Sequence, residues 1–168
     1  GGRPPTPPPT SRRGAPPHSG GLDVLEYAPA GSIQSATLTA PSETTPSDVQ
    51  WAMDMLLSGA IAATRAVLPA MREAGAGTLL YTNGAGSADP NPVLGNLNAA
   101  QAALRNWALG LHKELAGTGV QAGHVAIGVW IGTDNPPGIP AAPAEEIAPV
   151  YWDLHTPRDE AERVFTGG

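Results

Sequence analysis

The stretch that most suggests chemistry follows a short apolar segment in the middle of the chain. Residues 81–87 read Tyr-Thr-Asn-Gly-Ala-Gly-Ser. The hydroxyl of Tyr81 can give or take a proton, and Asn83, two residues later on a strand, would lie on the same face. Gly84-Ala85-Gly86 has two of the glycines with which a backbone approaches a phosphate, but it lacks the third glycine of a dinucleotide-binding loop. Tyr81 is therefore a candidate acid, and a buried core tyrosine is the alternative.

Other kinds of site find little support in the residue types. The chain has no cysteine, which excludes thiolate catalysis and cysteine-ligated zinc. The four histidines do not show metal-ligand spacing; they are His18, His112, His124 and His155. A strand histidine such as His124 is more often a hydrogen-bonded core residue than a ligand. With 9 lysines and arginines against 15 aspartates and glutamates, the net charge is −6, which argues against a nucleic-acid partner.

The elements that would position this stretch alternate between strand and helix. Short β-prone segments predict strands at 22–27, 78–82 and 120–127. Apolar residues at helical spacing predict long helices over about 46–73 and 96–116.

Start signals predict where several helices begin. In Thr45-Pro46-Ser47-Asp48 the threonine can cap the helix, proline takes the first position, and the aspartate stands three residues after the cap. A second Thr-Pro-x-Asp signal at Thr156 predicts a last helix that reaches Phe165, after a short helix over Ala144–His155.

This alternation predicts an α/β fold. We expect a partial Rossmann-like three-layer sandwich with about three parallel strands, flanking helices and further C-terminal helices. Ligands in such sheets bind beyond the carboxyl ends of the strands, here 27–30, 82–87 and 127–133.

Composition divides the chain into two parts. Residues 1–20 are rich in proline, glycine and arginine and lack large apolar side chains, so we predict a disordered tail before a folded unit over 21–168. No apolar run appears long enough to span a bilayer, and the lack of cysteine favours a reducing compartment. We therefore predict a cytoplasmic protein without a membrane partner.

Three stretches resemble the second half of a short-chain dehydrogenase/reductase. Residues 21–25, GLDVL, are similar to the fourth strand of that family, and residues 58–71 are similar to its fifth helix. Residues 97–104, LNAAQAAL, are similar to its Tyr-x-x-x-Lys-Ala-Ala-Leu helix start. The resemblance implies the C-terminal half of an NAD(P)-binding Rossmann domain. The first half would be missing, through a natural truncation or a wrong gene start.

The resemblance also implies where catalytic residues would lie. The family uses an asparagine, a serine, a tyrosine that transfers a proton, and a lysine that lowers the tyrosine pKa. Alignment of the motifs assigns these four places to Leu56, Gly84, Leu97 and Gln101. Leucine has no proton to give, glycine has no hydroxyl, and a neutral glutamine does not lower the pKa of a phenol, so we predict no catalytic residue here.

The positions that would meet the cofactor are altered as well. The Asn-Asn-Ala-Gly turn of the family reads Tyr-Ala-Pro-Ala at residues 27–30, and the Pro-Gly after its sixth strand reads Ile-Gly at 127–128. At most, vestigial cofactor positions remain at Ala28, Pro29, Thr82, Asn83, Ile127 and Gly128. We expect no cofactor for this chain, and NAD or NADP for a full-length relative.

Two interpretations of function remain open. The first is a catalytically inactive relative of the dehydrogenases, in which an interaction or regulatory role survives. Helices 46–73 and 96–116 would carry that role, because they pack between subunits in the resembled family, which implies a homo-oligomer. The second is an active oxidoreductase whose acid has been displaced, with Tyr81 as the best candidate.

Overall fold

The computed structural model of the chain describes residues 21–29 and 38–167. The predicted disordered tail over residues 1–20 lies outside the described residues. Four parallel strands form the main sheet in the order β1-β2-β3-β6. Their bounds are Val24–Tyr27 for β1, Gly77–Gly84 for β2, Val120–Ile127 for β3 and Glu162–Phe165 for β6. A second, small sheet pairs β4, Trp130–Ile131, with β5, Ala141–Ala142.

Helices cover both faces of the main sheet and complete the predicted three-layer α/β fold. Three of them pack on one face around a large apolar core, namely α1 (Pro46–Met53), α2 (Gly59–Ala74) and α3 (Gly95–Glu114). On the opposite face α4, Ala144–His155, buries Leu154 against Leu80 and Val125 of the sheet. A π-helical turn, Asp54–Ser58, joins α1 to α2, and a 3₁₀ turn, Ala85–Ser87, follows β2.

The first long helix begins where the sequence predicts. The backbone N–H of Asp48 donates to Thr45 Oγ1 at 3.4 Å, and the backbone N–H of Thr45 donates to the Asp48 carboxylate at 2.8 Å. This reciprocal pair satisfies two backbone donors that a helix start leaves free. The helix ends at Gly75, whose φ of 64° is the left-handed conformation that glycine adopts without a side-chain clash.

The predicted last helix is wrong, and the sheet has one more strand than expected. Glu162–Phe165 is the strand β6, which pairs in parallel with β3. Thr156 ends α4 instead of starting a helix, because its hydroxyl donates back to the carbonyl of Trp152 at 2.9 Å. Arg158 then turns the chain with a positive φ of 60°, and its guanidinium donates to the Gly119 carbonyl and to Thr78 Oγ1. Pairing with β3 therefore overrides the local start signal.

One helical run differs from the expectation that no apolar segment is long enough to span a bilayer. Pro46–Ala74, 29 residues, is long and apolar enough to cross a membrane by length and composition alone. In the structure this run places Ala52, Leu56 and Ala60 in the core. One such helix is weak evidence for a membrane span, since the core helix of a soluble protein passes the same test.

Candidate functional site

A pocket of about 330 Å³ lies at the carboxyl ends of β1, β2 and β3, within the size range of ligand sites, about 300–1,000 Å³. Side chains from the strands, α3, α4 and the turn between α1 and α2 enclose it. Its lining consists of Glu26, Ala28, Pro29, Leu56, Thr82, Asn83, Gly84, Leu97, Gln101, Ile127, Val129, Ile131 and Tyr151. The carboxyl edge of a parallel sheet is where the sequence predicts a ligand site.

The residues at the four family catalytic positions all line this pocket: Leu56, Gly84, Leu97 and Gln101. Five of the six vestigial cofactor positions line it as well: Ala28, Pro29, Thr82, Asn83 and Ile127. Gly128 does not line it, and lies against Ala85, Phe165 and Thr166 instead. The structure thus brings nearly all of the sequence-derived positions together.

Tyr81, the candidate displaced acid, does not line the pocket. Its side chain is fully buried in the core, where its hydroxyl lies 2.6 Å from Thr64 Oγ1 and its ring packs edge-on against Trp107. Burial raises the pKa of Tyr81 to about 12. The structure therefore corresponds to the alternative, a core tyrosine.

A different tyrosine reaches the pocket. Tyr151, on α4, has its hydroxyl 3.0 Å from Thr82 Oγ1, and the Thr82 hydroxyl donates to the Glu26 carboxylate at 3.4 Å. Burial raises the pKa of Tyr151. No local motif marks this residue, because only the packing of α4 over β2 brings it to the strand ends.

Gln101 is the most enclosed polar side chain of the site, with only 6% of its surface exposed. Its amide lies directly over the glycine turn. A Cβ built on Gly84 would stand 2.9 Å from Gln101 Nε2, and one built on Gly86 would stand 3.0 Å from Gln101 Oε1. The two glycines therefore leave the space that the Gln101 side chain fills. No hydrogen bond joins its side-chain amide to any residue that the structure describes.

Behind the pocket wall, a chain of polar contacts links β2, β3 and β6 to α3. Asn83 Nδ2 donates to the backbone carbonyl of Gln101 at 3.0 Å, and Asn83 Oδ1 lies 3.0 Å from His124 Nε2. His124 Nδ1 lies 2.9 Å from Glu162, whose two oxygens accept from Arg105 at 2.5 and 2.7 Å. Because Arg105 and Gln101 stand one helical turn apart, these contacts close into a ring that fixes α3 against the sheet.

Electrostatics in this ring follow from burial and from the ion pair. Burial lowers the pKa of His124, which is fully enclosed, although the neighbouring Glu162 carboxylate acts in the opposite direction. Hydrogen bonds from Arg105 lower the pKa of Glu162. His124 is thus a hydrogen-bonded core histidine, and among the described residues no cluster of three histidines, aspartates or glutamates could hold a metal.

Comparison with known proteins agrees with this geometry. Residues 13–139 match the model of the short chain dehydrogenase family. No curated protein matches the chain. Among solved structures, a short-chain dehydrogenase from Streptomyces avermitilis superposes with a TM-score of 0.72 at 23% identity, over 90% of this chain and 63% of that one.

Two further solved structures are similar. An acetoin dehydrogenase from Salmonella typhimurium has a TM-score of 0.74 at 21% identity, over 89% of this chain and 65% of that one. L-sorbose reductase from Gluconobacter frateurii, complexed with NADPH and L-sorbose, has a TM-score of 0.74 at 20% identity, over 90% and 67%. The chain thus spans about two thirds of the length of these structures.

At such identities the structural likeness shows the fold alone. The family model, however, covers well over half of the chain. The four parallel strands and their flanking helices agree with that match. This chain belongs to the short-chain dehydrogenase family.

Proposed function

We propose that this chain is a short-chain dehydrogenase family member that does not catalyse nicotinamide-dependent hydride transfer. The observation that carries the proposal is the pocket lining at Leu97 and Gln101, the family positions of the tyrosine and the lysine. A leucine side chain has no proton to exchange with a substrate oxygen. A neutral amide supplies no charge to lower a neighbouring pKa.

The lining also fits a nicotinamide dinucleotide poorly. The Gln101 amide covers Gly84 and Gly86, so a phosphate meets a side chain instead of the glycine backbone. Glu26 is the one charged side chain among the described residues that line the pocket, and its carboxylate repels phosphate groups. We therefore propose that this chain binds neither NAD nor NADP, although a full-length relative would use one of them.

The test is a hydride-transfer assay on the full chain. NADH and NADPH would be supplied with acetoin or L-sorbose, the compounds in the names of the similar structures, and an active dehydrogenase would run in parallel. We expect neither turnover nor a change in nicotinamide fluorescence. The double variant Leu97→Tyr with Gln101→Lys should stay inactive too, because Gly84 still lacks a hydroxyl. Hydride transfer by the unaltered chain would overturn the proposal, and hydride transfer by the double variant alone would overturn the proposed lack of cofactor binding.

A second candidate is an active oxidoreductase with a displaced acid, and one observation favours it. Tyr151 lines the pocket, and its hydroxyl contacts Thr82. The phenol has a proton to give at neutral pH, but burial raises its pKa and makes it a weaker acid than an ordinary tyrosine. If turnover is found, Tyr151→Phe should abolish it, whereas Tyr81→Phe should leave it in place.

We further propose a cytoplasmic homo-oligomer that assembles through residues 46–73 and 96–116. Support comes from the apolar side chains on these helices that stay half-buried in the single chain, such as Trp51, Met55 and Leu57. Apolar surface of this kind is covered by subunit contact in obligate oligomers. Light scattering at micromolar concentration should give at least twice the 17.1 kDa chain mass; a clean monomer would contradict it.

A further inference from the structure

The side-chain amide of Gln101 belongs to a polar residue in the wall of the pocket. Only 6% of the residue is exposed, and its amide atoms are not among the buried side-chain atoms that lack a partner, so they reach the open space of the pocket. The residues that the structure describes offer these atoms no hydrogen bond. An amide that faces a pocket offers a bound ligand both a hydrogen-bond donor and an acceptor.

The rest of the lining restricts the chemistry of that ligand. Leu56, Leu97 and Ile127 give apolar walls. Among the described residues, the lining includes no lysine, arginine or histidine, and its one carboxylate, Glu26, disfavours an anion. Gln101 presents a donor, Nε2, and an acceptor, Oε1, side by side above the glycine turn. A group with the complementary acceptor and donor in the same arrangement is a primary carboxamide or a lactam.

We propose that this pocket is a binding site for a small uncharged molecule with an apolar body and a carboxamide group, which pairs with the amide of Gln101. The site binds its ligand without transforming it. The carboxamide could belong to a free small molecule or to the nicotinamide ring of a dinucleotide. The charge of the lining favours the free molecule, because Glu26 is a carboxylate and a dinucleotide carries anionic phosphates.

The test compares three probes of one shape by calorimetry on the full chain: phenylacetamide, phenylacetone and phenylacetate. The ketone keeps the acceptor but loses the N–H donors, so phenylacetamide should bind roughly fivefold more tightly, the value of one net hydrogen bond. Phenylacetate, an anion, should bind more weakly than either. In Gln101→Met, which keeps the length of the side chain, the preference for the amide over the ketone should disappear. The matched control Gln50→Met, on an exposed position outside the pocket, should keep it.

A second measurement does not depend on how well the variant folds. In the unaltered chain, the side-chain NH₂ resonances of Gln101 should shift when phenylacetamide is added and stay in place with phenylacetate. The proposal is overturned if the amide and the ketone bind equally, if neither binds, or if Gln101→Met keeps the preference. Displacement of phenylacetamide by NADH would assign the site to the cofactor and overturn it too. None of these readouts involves hydride transfer, so they fail or succeed independently of the inactivity proposed above.

Discussion

Replacing Gly84 by serine restores the residue type of the family at that position, and the structure predicts that it destabilises this chain. The backbone of Gly84 has φ −80° and ψ 155°, which serine adopts without strain. The obstacle is the neighbour, because a Cβ would stand 2.9 Å from Gln101 Nε2 and 3.3 Å from its Oε1. The amide can move only within a 94% enclosed site, and overpacking of this kind costs about 1–3 kcal/mol.

Urea unfolding of four proteins measures this contact as a double-mutant cycle. We expect Gly84→Ser to lower the unfolding free energy by about 1–2 kcal/mol, at the lower end of overpacking costs because the obstructing atoms end a flexible side chain. In a Gln101→Ala background the same substitution should be close to neutral, which gives a coupling of about 1 kcal/mol or more. Gly110→Ser is the control, since a Cβ there meets nothing within 4 Å. Equal costs of Gly84→Ser in the two backgrounds would refute the proposed contact.

Three further predictions concern the core, the polar ring and the sheet edge. Burial raises the folded-state pKa of Tyr81 from 10.0 to about 12. The contribution of this protonated tyrosine to the free energy of unfolding is therefore complete below pH 10 and is lost as the pH rises through 12, in total roughly 3 kcal/mol. Between pH 9 and 11, the free energy of unfolding measured with denaturant should therefore fall more steeply with pH for the unaltered chain than for Tyr81→Phe. Equal pH dependence of the two proteins would contradict this prediction. Glu162→Gln should lower the free energy of unfolding by about 1–3 kcal/mol, because it weakens the contacts to Arg105 and His124. The control Glu160→Gln, in an exposed ion pair with Arg163, should change the free energy of unfolding by less than about 1 kcal/mol. Similar losses in the two variants would show that the ring stabilises the chain no more than a surface ion pair does. Val24 lies on β1, which has one partner among the described strands, so a lysine there should hinder pairing with another chain. Val24→Lys should therefore raise the soluble fraction, measured after centrifugation, more than Glu73→Lys does on a helix surface.

Local signals predicted the fold where no distant contact competed with them. At Thr45 the capping residues are followed by a long apolar helix that packs against the sheet, so local and tertiary preferences agree. At Thr156 a similar signal precedes only a few residues. There the edge of β3 offers parallel pairing to Glu162–Phe165, and the chain forms a strand. A segment of four residues is too short for periodicity to distinguish helix from strand.

The candidate site was predictable in position but not in its contacts. Parallel strands bring their carboxyl ends to one edge, so the strand ends in the sequence already indicate Thr82, Asn83 and Ile127 as neighbours. The contacts from Asn83 to His124 and from His124 to Glu162 span 41 and 38 residues, and no spacing rule connects them. Tyr151 reaches the pocket only through the packing of α4, for the same reason.

The altered family positions are better understood together than as separate losses. Gly84 has no side chain at the place where the amide of Gln101 lies, so the glycine leaves the room that the glutamine occupies. The ring through Asn83 and His124 holds the backbone of Gln101 in place, while the side-chain amide of Gln101 has no hydrogen bond to a described residue. A pocket of about 330 Å³ remains open beside it. A chain that had merely lost its chemistry would gain stability by filling that space with apolar side chains, because packed interiors are favoured over open cavities. An amide that faces this open space agrees with the binding site proposed above.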